Sequence, residues 1–144
     1  MMNKIHTITI LFALLILTSW GCSKDDGSNA NTDVEAVQSS LQVDRWNVTY
    51  FFHDGADRTT DFRGFLFTFN SNGSISAINN LFTVNGSWSV VKDGNFTEVN
   101  IAFASPSTFQ NLTKDWRVNT NTFSRITMQN FSANGTISSL TLEK

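Results

Sequence analysis

Cysteine occurs once in this chain of 144 residues, at Cys22; proline occurs once, at Pro106; tyrosine occurs once, at Tyr50. A lone cysteine excludes any intrachain disulfide, so the redox compartment leaves no covalent trace. Histidine is almost as scarce, with His6 and His53 only, and a single imidazole beyond the leader cannot build a metal site unaided. Gly-x-Ser-x-Gly, His-Glu-x-x-His and a phosphate-cradling glycine loop are all missing, which removes the common signatures of hydrolases, zinc peptidases and nucleotide binders. Charge is sparse as well, at 15% of residues. Beyond residue 21 nine Lys and Arg face twelve Asp and Glu, a formal charge of −3, and Arg45, Arg58, Arg63, Arg117 and Arg125 stand scattered. No patch for tracking phosphates follows from that spacing, and nucleic acid is not an expected partner.

What is present begins with a leader. Lys4 precedes an apolar run containing Ile8, Ile10, Leu11, Phe12, Leu14, Leu15, Ile16 and Leu17, the charge and hydrophobicity order of a secretory signal. The run is broken at Thr18, short of the roughly 20 apolar residues that a membrane-spanning helix needs. Ser19-Trp20-Gly21-Cys22 then resembles a bacterial lipobox. The resemblance implies cleavage before Cys22, with diacylglycerol on the sulfur and a further acyl chain such as palmitate on the freed amine. Two or three such chains hold a protein on a membrane, where one alone holds it marginally. The alternative for Cys22 is a buried core thiol, but a cysteine at the end of a leader has no core to join.

Residues 23–33 are polar and without apolar periodicity, a flexible leash. Lys24-Asp25-Asp26 either is solvated linker or acts as the tag that it resembles, one sending lipoproteins to the outer face of the outer membrane. Val34, Val37 and Leu41 have weak helical spacing and predict one short lead-in turn. The organisation expected is therefore a signal peptide over 1–21, a lipidated cysteine and linker over 22–40, and one domain over 41–144, a normal domain length.

Within that domain the apolar period is two. Trp46, Val48, Tyr50 and Phe52 predict the first strand, and Phe65, Phe67 and Phe69 the second. Asn70-Ser71-Asn72-Gly73 then predicts a hairpin turn in which glycine supplies positive φ. Ile75 and Ala77 follow, then Phe82, Val84, Gly86, Trp88 and Val90 on one face, with Gly86 marking a bend or close approach. Val99, Ile101 and Phe103 continue the pattern until Ser105-Pro106 opens a loop with a short helical turn, because proline lacks the ladder donor. Trp116 with Val118, Ser124 with Ile126 and Met128, and Leu140 with Leu142 complete eight strands. A meander of that number removes its exposed edges by closing on itself, so an all-β, up-and-down antiparallel barrel is expected, with a β-sandwich as the alternative.

Trp46-Asn47-Val48-Thr49-Tyr50, Phe65-Leu66-Phe67-Thr68-Phe69-Asn70 with Asn72-Gly73-Ser74-Ile75, and Val84-Asn85-Gly86-Ser87-Trp88-Ser89-Val90 resemble the lipocalin-like lipoproteins of Bacteroidetes-type bacteria. The resemblance spans nearly all of the domain. It implies an eight-stranded lipocalin-like barrel on the outer membrane, held by its lipid and, where Lys24-Asp25-Asp26 acts as the export tag, facing the cell surface; the missing motifs add the expectation of no cofactor and no catalysis.

Eight strands enclose a space that side chains fill or that holds one small ligand. Tyr50, Phe67, Phe69, Trp88 and Trp116 accordingly either line an apolar pocket for a small apolar or amphipathic ligand or pack as core. The other functional reading is an envelope module whose loops, residues 54–61 and 105–115, contact a protein or glycan. His53, Asp54, Asp57 and Asp61 gather near one turn, where they can hold calcium or act as acid and base. Turn chemistry explains the same residues without a site.

Overall fold

The computed structural model describes residues 32–144. The leader, Cys22 and the start of the leash lie outside the described residues. Helix α1 (Val34–Gln42) comes first. It is longer than a lead-in turn, and it belongs to the packed unit rather than to a leash ending at residue 40. Val37 and Leu41 are both buried, one helical turn apart and therefore on one face. The indole Nε1 of Trp46 donates to the Leu41 carbonyl at 3.0 Å, so the end of α1 is tied to the strand that follows it.

The strands are β1 (Asn47–His53), the two-residue β2 (Ala56–Asp57), β3 (Leu66–Phe69), β4 (Ser74–Ile78), β5 (Thr83–Asp93), β6 (Phe96–Ala102), β7 (Lys114–Asn121), β8 (Arg125–Phe131) and β9 (Ile137–Glu143). A 3-10 turn (Thr59–Phe62) precedes β3, and a single helical turn, α2 (Ser107–Gln110), precedes β7 after a cis Ser105-Pro106 bond. All nine strands form one sheet in the order β2-β1-β9-β8-β7-β6-β5-β4-β3, where a sandwich needs two. The sheet is antiparallel and curls into a half-barrel. A bridge between Trp46 and Phe67 joins the residue before β1 to β3 through two backbone hydrogen bonds of 2.8 Å.

Local chemistry sets the turns. At the β3–β4 hairpin Gly73 takes φ 81° and the Asn72 side chain accepts from the Ser74 amide at 3.0 Å, the Asx device that favours a sharp reversal. The concave face collects Phe67, Phe69, Ile75, Ala77, Val84, Trp88, Val99, Ile101, Trp116, Val118, Ile126, Met128, Leu140 and Leu142, all buried. α1 packs against β3, β5 and β7.

The alternation expected of the first strand fails midway. A register shift lies between Val48 and Tyr50, and a bulge of this kind turns every later side chain to the opposite face. Phe51 is therefore fully buried, while Tyr50 is 42% exposed.

Candidate functional site

Four of the five aromatic residues expected to line a pocket are core. Phe67, Phe69, Trp88 and Trp116 lie inside the curled sheet, and Tyr50 lies outside it for the reason just given. Phe69 meets Trp88 edge to face with centroids 5.1 Å apart, and Trp116 meets Phe51 at 6.2 Å. Both indole N–H groups are used internally, Trp88 on the Asn70 carbonyl at 3.0 Å and Trp116 on the Leu112 carbonyl at 2.9 Å. Ring edges and N–H donors that a ligand would engage are thus spent on the protein itself. At the end away from α1, Phe109 from the helical turn contacts Phe62, Phe65 and Phe103 with centroids 5.0–5.3 Å apart. This cluster packs the two irregular connections against the strands.

His53 and its acidic neighbours do not converge. His53 Nδ1 lies 3.1 Å from Ser138 Oγ, and Nε2 lies 3.3 Å from Asp54 Oδ2. Burial, followed by the Lys114 ammonium, holds the His53 pKa below its ordinary value, although Asp54 acts the other way. Serine, histidine and aspartate in contact evoke nucleophilic catalysis. Ser138, however, is 1% exposed, so a substrate carbonyl has no approach to its hydroxyl. Asp57 instead accepts from the Thr59 amide at 2.9 Å, and the Thr59 hydrogen bonds hold its carboxyl below the usual range. Asp61 faces Arg58 at 3.7 Å. Asp57 and Asp61 are local turn braces and Asp54 pairs with the adjacent His53; among the described residues no group of three His, Cys, Asp or Glu side chains is placed to hold a metal.

The loops expected to meet a partner carry no exposed ring: residues 54–61 contain none, and Phe109 is buried. Exposed apolar side chains sit elsewhere. Ile78, Leu81 and Phe82 form the β4–β5 hairpin, away from α1. Phe123, 80% exposed, tops the β7–β8 hairpin beside the start of β1, with the Lys144 ammonium 4.3 Å from its ring centre.

A third group lies on the convex face. Arg117 on β7 points outward between Phe96 of β6 and Phe131 of β8, with its guanidinium carbon 3.6 Å and 5.2 Å from the two ring centres. Strand register makes this arrangement, since Arg117 pairs with Glu98 on one side and Gln129 on the other. The three residues are far apart in the sequence, and only their shared outward parity hinted at them. Beside them a cleft of about 270 Å³ is lined by Asp93, Glu98, Asp115, Arg117, Gln129, Asn130 and Phe131. A second cleft of about 380 Å³, running over Ser87, Ser89 and Asn100, shares Asp115 with the first.

No protein-family model matches the chain, and comparison with curated proteins finds no match. The structure by itself defines the class: a small curled antiparallel sheet with an aromatic core and ring-bearing outer surfaces.

Proposed function

We propose that this chain is a lipid-anchored, lipocalin-like module of the bacterial outer envelope that works by contact through its outer surface, without catalysis. The observation carrying the reading is the division of the aromatic residues. Phe67, Phe69, Trp88 and Trp116 are packed inside, with both indole N–H groups bonded to backbone carbonyls, whereas Phe82, Phe96, Phe123 and Phe131 stand exposed. Exposed rings grouped with polar neighbours are the usual mark of a recognition surface. The lipocalin-like part of the reading is supported by the succession of antiparallel neighbours and by the Trp46–Phe67 bridge. Its anchor rests on Cys22 and the residues before it.

Three measurements test the proposal. Cys22→Ser should release the protein from membranes into the aqueous phase, and unchanged partitioning would remove the anchor. Photo-crosslinking from positions 82, 123 and 131 in cells should capture a partner, while native mass spectrometry of the protein from its own extract should show the mass of the mature lipidated chain with no further apolar molecule bound. A stoichiometric apolar molecule travelling with the protein, together with silent crosslinkers, would replace this reading with the interior ligand site.

A further inference from the structure

The convex-face cleft around Arg117 has features that fold stability does not call for. A guanidinium inside a ring of carboxylates normally ends in an ion pair. Arg117 makes none among the described residues, and its buried Nε–H donates to no acceptor. Leaving a buried donor unused forfeits its hydration with nothing in return. On the neighbouring strand Asn100, whose cleft adjoins at Asp115, has a buried side-chain oxygen that likewise lacks a partner. Burial pushes the Glu98 carboxyl above its usual range, and the Asp93 and Asp115 charges add to the push. Asn130 donates its amide to the Asp115 carbonyl at 2.9 Å, but the Arg117 Nε–H and the Asn100 oxygen stay unsatisfied beside charged and polar neighbours.

We propose that the cleft beside Arg117 and Phe131 binds a neutral sugar unit, and that glycan is the partner of the outer surface; this rests on the contact-module reading above. The chemistry selects the ligand. Adjacent sugar hydroxyls each donate and accept, so they can donate hydrogen bonds to Asp93, Glu98 and Asp115 while accepting from Arg117 and the Gln129 amide. The apolar C–H side of the same ring lies on a phenyl face. Phe131 supplies that phenyl ring, since it lines the cleft and is 50% exposed. An anionic ligand would meet three carboxylates. A cationic one would find the place between the Phe96 and Phe131 rings already taken by Arg117. The volume of about 270 Å³ falls just below the range of pockets for drug-sized molecules, about 300–1,000 Å³, and suits a single ring. The adjoining cleft along Ser87, Ser89 and Asn100 provides a path for the next unit of a chain.

The test uses the full chain in detergent, passed over immobilised dextran, mannan, galactan and chitin oligomers, with oligo-lysine and polygalacturonate as charged comparisons. Retention is expected on at least one neutral polymer, with release by its free monosaccharide. Phe131→Ala should weaken retention at least tenfold without moving the melting temperature, and Arg117→Lys should weaken it while keeping the charge. Val43→Ala, at the exposed end of α1 and outside both clefts, should bind as the parent does. Retention on none of the neutral polymers, tighter retention on either charged polymer, or wild-type binding by Phe131→Ala would each overturn the proposal. If sugars fail while crosslinks from positions 82 and 123 still form, the sugar site falls and the contact module stands.

Discussion

The β-carbon that Gly86 lacks would lie 2.7 Å from Cδ1 of Phe103 and closer still to the carbonyl oxygen of Ala102. β5 and β6 approach at this point, and the Phe103 ring occupies the space a side chain would take. Phe103 in turn holds Phe109 with ring centres 5.2 Å apart, so the glycine seats the connection between β6 and β7.

Gly86→Ala is therefore expected to destabilise the protein by about 1–3 kcal/mol, the usual cost of overpacking a filled interior. Urea titration with a fluorescence readout checks it, and an unchanged midpoint would mean that the strands separate there without penalty.

Trp46→Phe keeps a ring in the core and deletes the N–H that reaches Leu41. The Leu41 carbonyl is then buried without a partner, at a cost of about 1–3 kcal/mol. Amide exchange should accelerate across Val34–Gln42 more than across β7 and β8. Uniform acceleration would show that α1 does not depend on this bond.

Thr59 braces the crossing from β2 to β3, because its hydroxyl accepts from the Phe51 amide at 2.9 Å. Thr59→Val preserves shape but leaves that buried amide unpaired. A loss of about 1–3 kcal/mol follows, and Thr59→Ser should recover most of it in the same melts.

His53 makes stability depend on pH in one direction. Its folded pKa lies below the ordinary 6.5, through burial and the Lys114 charge, with Ser138, Asp54 and Arg58 the other polar groups around it. As pH falls below 6.5, the unfolded chain takes up the proton first, so folding stability drops until the folded value is passed. His53→Gln should flatten that part of the profile. Glu98 works at lower pH in the same sense of reasoning: its folded pKa is raised above 4.5, so stability declines as pH rises through 4.5 to the folded value. Glu98→Gln should remove that decline, leaving the variant relatively more stable at neutral pH. Denaturant midpoints measured between pH 4 and pH 8 test both, and parallel profiles for parent and variants would contradict them.

Strand positions and turns were legible wherever the physics is local. Phe67 and Phe69, Trp88, Val99 and Ile101, Ile126 and Met128, and Leu140 and Leu142 face inward as their alternation requires. Gly73 turns the chain where asparagine and glycine coincide, and Pro106 opens the stretch that leaves the sheet. Period-two burial and the φ preferences of glycine and proline act within a few residues, so they can be read from a string of letters.

Tertiary structure alone decided the rest. The bulge that exchanges Tyr50 for Phe51 follows from pairing with β9, and no residue within β1 announces it. α1 joins the packed unit because Leu41 and Trp46 find each other across a sheet that curls, where weak helical spacing suggested only a turn. Phe96, Arg117 and Phe131 meet because three strands align in one register. Which faces turn inward is a local property of an alternating chain; which side chains become neighbours across strands depends on register, and register is fixed only when the whole sheet buries its apolar face at once.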